Sequence, residues 1–158
     1  IALIGGKPLL GNVNISGAKN ACLPILAASL LAKEAVSIAN IPYLDDVSTM
    51  LELLGELGSK ISLTGNNQMM IDASSLTHLT VDYPLVKAMR ASVLVLGPLL
   101  ARWHEVNIAL PGGCAIGSRP INLHLDALTK MGADIKVHEG FVVAKTNANL
   151  KAPPSTSP

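Results

Sequence analysis

The chain has 158 residues, of which 49% are hydrophobic, 15% charged and 3% aromatic, and its formal net charge is +1. A nearly neutral chain with few aromatic side chains lacks the basic surface and the stacking platforms that favour nucleic acid, and its net charge is too small to draw it to anionic membranes. Its longest apolar segments, such as residues 91–101, are too short to cross a membrane. The composition is typical of a globular protein of one domain or two small subdomains.

The cysteines and the chain ends add two expectations. Cys22 and Cys114 lie in dissimilar contexts, and no signal-peptide pattern opens the chain. Both observations favour reduced thiols in a cytoplasmic protein over a disulfide framework. Residues 152–158 are rich in proline, serine and threonine, which predicts a disordered tail.

The first half of the chain predicts two helices and three strands. Ser16 and Gly17 form a start signal for the first helix, and Pro24 falls in its first turns, where proline is best tolerated. Asp45 and Asp46 suit the positive end of the second helix. In chain order, the predicted elements are a helix over 19–32, a strand over 35–40, a helix over 47–57 and a hairpin of strands 60–64 and 68–72. The apolar stripe of the second helix is predicted to comprise Met50, Leu51, Leu54 and Leu57.

The second half predicts the same order of elements. Gly97 and Pro98 interrupt the first of its helices and predict a kink there. The predicted elements are a helix over 84–102, a strand over 105–110, a helix over 120–131 and a hairpin of strands 134–138 and 141–145. The order of elements predicts an α/β fold with βαβ crossovers and mixed sheets packed against helices.

These two halves are copies of one unit. Residues 30–33 match residues 99–102 at an offset of 69, whereas the second helices match at an offset of 74. The second copy has therefore gained five residues between Pro111 and Leu125. Insertions in repeats usually fall in loops on one face, often the binding face, so this one predicts a ligand site.

The inserted loop contains the residues that suggest a reactive site. Its sequence runs Pro-Gly-Gly-Cys-Ala-Ile-Gly-Ser-Arg-Pro over residues 111–120. Glycines let a backbone approach a ligand closely, and Cys114 acts as acid or nucleophile only if nearby positive charge, such as that of Arg119, helps its proton to leave. The alternative interpretation is a tight turn with a small buried cysteine.

Three segments in order carry a family resemblance. They are Ser-Gly-Ala-Lys-Asn at 16–20, Met-Arg-Ala-Ser at 89–92 and the cysteine loop at 111–120. Together they resemble the UDP-N-acetylglucosamine enolpyruvyl transferase family. The resemblance implies repeated βαβαββ units of the enolpyruvyl transferase type, with two of the three units of one domain in an N-terminal fragment. The expected divisions are an opening strand region at 1–16, a first unit at 17–79, a second unit with the cysteine loop at 80–151 and the tail at 152–158.

The resemblance also implies roles for individual residues. Cys114 matches the residue that protonates the methylene carbon of phosphoenolpyruvate, and Lys19 and Asn20 match phosphoenolpyruvate-binding positions. Positions matching contacts to the UDP-sugar are Arg90, Arg119, Pro120, Ile121, Asn122 and Leu123. Asn122 stands where the family usually has an aspartate that contacts the uracil.

Each role has a plainer alternative. Lys19 is otherwise a solvated surface lysine, and Arg90 a helix-surface charge. His124 either supports the cysteine through an imidazolium that lowers the Cys114 pKa or simply packs on its helix. The remaining histidines have no cysteine or carboxylate at ligand spacing, so we expect neither a metal nor another cofactor.

Two functions follow as hypotheses. The first is part of an enzyme that moves the enolpyruvyl group of phosphoenolpyruvate to the 3′-hydroxyl of UDP-N-acetylglucosamine in peptidoglycan precursor synthesis. The second is a non-catalytic, truncated folding or anion-binding module of the same fold. We expect the isolated chain to be inactive without the family's opposing domain. We also expect it to form a homodimer through the apolar residues of its opening strand.

Overall fold

The computed structural model describes residues 2, 5, 6, 8, 10–65, 67–110 and 121–152, with residues 87, 88 and 90 described by their backbone only. The described residues form two small sheets with helices packed against them. One sheet is formed by strands within residues 36–72 and the other by strands within residues 80–145, and residues 17–79 and 80–151 are called the first and the second unit below.

The first unit contains two helices and a three-stranded sheet. Its sheet has the order β1-β3-β2, and both pairings are antiparallel. The elements are α1 (Lys19–Ala28) with a 3-10 turn at Ser29–Leu31, β1 (Val36–Ile38), α2 (Asp45–Glu56), β2 (Lys60–Gly65) and β3 (Gln68–Asp72). All five predicted elements are therefore present: β3 has the predicted bounds, and the bounds of the other four differ from the prediction by at most four residues.

The second unit has a four-stranded sheet in the order β4-β5-β7-β6. The short strand β4 runs parallel to β5, and the helices between them form a βαβ crossover. The elements are β4 (Thr80–Val81), α3 (Tyr83–Ala88), a 3-10 segment at Arg90–Val95, α4 (Leu96–Trp103), β5 (Glu105–Ala109), α5 (Asn122–Lys130), β6 (Asp134–His138) and β7 (Phe141–Lys145). The bounds predicted for the second hairpin are those observed.

The single helix predicted over residues 84–102 is wrong. The backbone becomes extended at Met89, with φ −143° and ψ 111°, and a 3-10 segment separates α3 from α4. The Met89 side chain is buried in the core, so a tertiary contact overrides the helical pattern there. Pro98 causes no kink within α4, because it lies in the first turn of that helix, where its missing N–H is not needed.

Three smaller differences concern the first unit and the opening region. Its sheet is purely antiparallel in the described residues, whereas mixed sheets were expected. In α2, Leu53 is fully buried and Leu51 only half-buried, because the helix packs against both α1 and the second unit. The described residues of the opening region form no strand, and Leu10, Val13 and Ile15 are 95%, 87% and 84% exposed. The tail beyond residue 152 lies outside the described residues.

The two units share one core. Leu30 and Leu99, which occupy equivalent positions in the repeat, are both fully buried. In the second unit, α4 packs against the 3-10 turn Ser29–Leu31 that follows α1. The 3-10 segment Arg90–Val95 packs against α1 and α2. Arg102 crosses this junction, donating hydrogen bonds to four backbone carbonyls of the first unit, those of Leu30, Ala32, Ala73 and Ser74.

Candidate functional site

The start of α1 is pressed against the connection between β1 and α2. A Cβ atom at Gly17 would collide with the backbone carbonyl oxygen of Asn40 and lie 3.2 Å from Cδ of Pro42. Only glycine leaves room for this approach. Gly17, in the Ser-Gly-Ala-Lys-Asn segment, thus has a packing reason for its identity.

Asn40 holds the other side of this contact. It has a left-handed backbone with φ 58°, a conformation that asparagine tolerates better than most residues. Its Nδ2 donates a hydrogen bond of 3.3 Å to the carbonyl oxygen of Ile15. The chain on both sides of Gly17 is therefore tied to the β1–α2 connection, and the N-termini of α1 and α2 lie side by side.

An ion pair joins the two helix starts. Nζ of Lys19 lies 2.7 Å from Oδ2 of Asp46, and the two side chains are 49% and 37% exposed. The positive end of a helix dipole stabilises Asp46 at the start of α2 but disfavours a cation at the start of α1. The carboxylate of Asp46 offsets that unfavourable position of Lys19.

The start of α1 also has uncapped backbone donors. Its N-cap residue, Ala18, offers no side-chain hydrogen bond, and its first turn has no acidic residue. The first N–H groups of a helix lack partners within the helix and favour anions. Lys19 and the exposed Asn20, both in this turn, add an ammonium and an amide donor. Together these donors can bind a phosphate or carboxylate.

The cysteine loop, residues 111–120, lies outside the described residues, but the residues that flank it are described. The backbone N–H of Leu110, directly after β5, donates a hydrogen bond of 2.6 Å to the carbonyl oxygen of Gly140. At the other end, the carbonyl oxygen of Ile121 accepts hydrogen bonds from the backbone N–H groups of His124 and Leu125. The segment 111–120 therefore runs from the end of a central strand to the start of a helix.

Several predicted site residues fall within the undescribed parts. Cys114, Arg119 and Pro120 lie in the segment 111–120, and the side chain of Arg90 is likewise outside the described atoms. The backbone of Arg90 begins the 3-10 segment that packs against α1 and α2. The grouping of these residues with Lys19 stays a prediction.

The remaining predicted residues occupy the first turn of α5. Ile121 packs partly buried against the core, whereas Asn122 is exposed and Leu123 is 74% exposed. His124 is exposed and lines an apolar groove between α4 and α5 together with Leu94 and Leu128. In this position His124 contacts apolar neighbours, and a role beside Cys114 remains a prediction.

The other cysteine, Cys22, is unsuited to act as an acid or a nucleophile. Cys22 lies inside α1 and is 7% exposed, and burial raises the pKa of its thiol. A thiol with a raised pKa yields little thiolate at neutral pH.

Sequence reasoning missed the partner of Lys19. Asp46 was assigned only to the start of α2, and no local pattern links it to a lysine 27 positions earlier.

In the described parts of the chain, no three histidine, cysteine or carboxylate side chains group as metal ligands. No described helix is long and apolar enough to span a membrane.

Comparison with known proteins places the chain in a family. The family model described as EPSP synthase (3-phosphoshikimate 1-carboxyvinyltransferase) matches residues 3–152. The chain belongs to this family. Membership confirms the fold class predicted from the sequence, and the resemblance stated above is confirmed by the relatives themselves.

Similar members of the EPSP synthase family are named UDP-N-acetylglucosamine 1-carboxyvinyltransferase. The protein of Psychromonas ingrahamii is 57% identical over 147 residues, which cover 93% of this chain and 35% of that protein. The protein of Coxiella burnetii is 50% identical over 151 residues, which cover 96% of this chain and 35% of that protein. The chain thus spans about a third of the length of the curated relatives it matches.

Two solved structures of enolpyruvyl transferases share the fold. The enolpyruvyl transferase NikO from Streptomyces tendae superposes with a TM-score of 0.73 at 24% identity, covering 93% of this chain and 32% of that one. The EPSP synthase from Acinetobacter baumannii gives a TM-score of 0.66 at 19% identity, covering 93% of this chain and 35% of that one. At such identities the likeness concerns the fold alone.

Proposed function

We propose that this chain supplies part of the active site of a UDP-N-acetylglucosamine 1-carboxyvinyltransferase. The observation that carries the proposal is the 50–57% identity to relatives of that name over 93–96% of the chain. The reaction transfers the enolpyruvyl group of phosphoenolpyruvate to the 3′-hydroxyl of the sugar and releases phosphate. Its place is the synthesis of peptidoglycan precursors in the cytoplasm.

Lys19 and Asn20 bind phosphoenolpyruvate in this proposal. The start of α1 offers backbone N–H groups without a side-chain cap, an ammonium and an amide within one turn. Positive donors fixed before the reaction stabilise the negative charge of the phosphate and carboxylate without reorganisation. Gly17 supports them by allowing the close contact with Asn40.

Cys114 delivers the proton. In the addition step, the sugar hydroxyl gives its proton to a general base while its oxygen bonds to C2 of phosphoenolpyruvate, and the methylene carbon takes a proton from the Cys114 thiol, which becomes a thiolate. In the elimination step, the bond between C2 and the phosphate oxygen breaks, the methyl carbon returns a proton to the Cys114 thiolate to restore the double bond, and inorganic phosphate leaves with the proton that the base took from the sugar hydroxyl. The same thiol can instead bond to C2 and form a phospholactoyl adduct.

The UDP-sugar is assigned to Arg90, Arg119 and the start of α5. Asn122 and Leu123 are exposed there and accessible to a ligand. Because Asn122 is uncharged, it contacts uracil through its amide rather than through a carboxylate. His124 adds positive charge to this end of α5 when protonated.

The proposal is tested by transplantation. Residues 3–152 of this chain replace the matching third of the Psychromonas ingrahamii enzyme, and phosphate release is measured with both substrates. We expect release that needs both phosphoenolpyruvate and UDP-N-acetylglucosamine, that Cys114→Ser abolishes and that Cys22→Ser retains. A folded chimera that releases no phosphate would refute the proposal.

A second candidate is a binding module without turnover. It is favoured by the share of the relatives, about a third, that the chain spans. Phosphate release is therefore measured for the chain alone as well, and we expect none. Release from the chain alone that depends on both substrates and on Cys114 would exclude this candidate.

A further inference from the structure

Lys19 already has an anionic partner within the protein. The distance of 2.7 Å between its Nζ and Oδ2 of Asp46 is that of a direct, charge-assisted hydrogen bond. An ammonium has three donor hydrogens, but its single charge is partly compensated by this carboxylate, as in other ion pairs that are accessible to water. A phosphate that binds at the start of α1 must therefore compete with the Asp46 carboxylate for the ammonium group of Lys19.

The position of Asp46 keeps its carboxylate beside Lys19, where it competes with any incoming anion. It lies in the first turn of α2, where the helix dipole favours a carboxylate. The Gly17–Asn40 contact and the packing of α1 against α2 hold the two helix starts together. Because Asp46 is tethered, it acts on Lys19 at a high effective concentration that a free ligand must overcome.

We propose that Asp46 is an internal competitor that gates the anion site at Lys19, a proposal that rests on the proposed function. The carboxylate holds Lys19 in place in the unliganded protein and reduces the site's affinity for anions. A ligand carrying a phosphate dianion displaces the carboxylate because it brings more charge to the ammonium and also binds backbone N–H groups in the first turn of α1, which has no side-chain cap. Asp46 thereby selects against weakly charged anions.

The experiment measures anion binding by the full chain. The isotope-labelled protein is titrated with inorganic phosphate and, separately, with phosphoenolpyruvate, and the dissociation constant is read from the amide resonances of residues 19–21. The variants are Asp46→Asn, Asp46→Glu, Lys19→Ala and Asp45→Asn. Asp45 is the matched control because it is an exposed neighbour in the same first turn, and it carries the same charge.

We expect Asp46→Asn to bind phosphate at least threefold more tightly than the wild type. Asp46→Glu restores the weaker binding, and Asp45→Asn stays within twofold of the wild type. Equal or weaker binding by Asp46→Asn overturns the gate, as does an equal gain in Asp45→Asn, which would reveal a general charge effect. Chemical shifts of the remaining amides verify that each variant is folded.

Lys19→Ala separates this proposal from the proposed function. If phosphate binding at residues 19–21 is unchanged in Lys19→Ala, the role of Lys19 in the proposed function fails. If binding is lost in Lys19→Ala but Asp46→Asn gives no gain, only the gate fails. If neither the wild type nor Asp46→Asn binds phosphate or phosphoenolpyruvate, both fail for this chain.

Discussion

At the scale of single residues, the site depends on a glycine whose role is steric. Gly17 is not among the glycines with a positive φ, so its backbone does not demand glycine. Glycine is required at position 17 because the carbonyl oxygen of Asn40 occupies the space that a side chain would need. The contact is long-range in sequence and places Lys19 beside Asp46.

We expect Gly17→Ala to lower the free energy of unfolding by about 1–3 kcal/mol, the usual cost of overpacking. Urea denaturation measures the change. Gly55→Ala is the control, because a Cβ atom there meets nothing within 4 Å and Gly55 lies in α2. Alanine in an exposed helix position is favoured over glycine by about 1 kcal/mol, so this variant gains stability. A Gly17→Ala protein as stable as the wild type would contradict the steric role.

The two cysteines are predicted to differ in reactivity. Burial raises the pKa of Cys22, so iodoacetamide, which reacts with the thiolate, labels it slowly at neutral pH and faster only as the pH rises. Cys114, in a glycine-rich loop with Arg119, is expected to react first. Peptide mapping after timed labelling checks this order. In urea both cysteines label at similar rates, and faster native labelling of Cys22 would show that the prediction is wrong.

At the scale of elements, Arg102 joins the two units. Its guanidinium reaches the carbonyls at the end of the 3-10 turn after α1 and those that follow β3. A hydrogen bond of 2.9 Å from the backbone N–H of Ser74 to Oδ1 of Asp72 holds the turn after β3. Hydrogen bonds from the Ser74 hydroxyl and backbone N–H also keep the pKa of Asp72 below its ordinary value. The planar fork of arginine suits several acceptors at once, and lysine cannot replace it here.

We expect Arg102→Ala to reduce stability by about 2–4 kcal/mol, since hydrogen bonds to charged groups contribute roughly 1.5–3 kcal/mol each and are not additive. Lys33→Ala is the control, because Lys33 is the exposed repeat counterpart of Arg102. Its effect should stay within about 0.5 kcal/mol, as for surface substitutions in general. Urea unfolding followed by tryptophan fluorescence reports on the junction through Trp103, over whose ring the guanidinium lies at 4.4 Å. Equal stability of the two variants would refute the conclusion that Arg102 stabilises the junction between the two units.

At the scale of the whole molecule, the opening segment exposes apolar side chains. Leu10, Val13 and Ile15 are almost fully exposed, and β1 has one edge without a partner among the described strands. Exposed apolar residues and free strand edges favour association with another chain. We therefore propose that the isolated chain forms a symmetric dimer through this segment.

Light scattering after size exclusion tests this proposal. We expect a dimer at micromolar concentration that dissociates when Leu10, Val13 and Ile15 are all changed to serine. The control changes three other exposed apolar residues, Tyr43, Leu63 and Val137, to serine and leaves the dimer intact. A wild-type monomer at high micromolar concentration, unaffected by deletion of residues 1–10, would contradict the proposal.

The sequence by itself determined the fold class, most of the helices and strands, and the family. Hydrophobic periodicity and turn residues act over a few positions, so the second hairpin could be predicted to the residue. Only the tertiary structure decided the break at Met89 and the pairing of Lys19 with Asp46. These features arise where distant segments meet and compete with local preferences, and the energy of such contacts depends on three-dimensional geometry that no local pattern encodes.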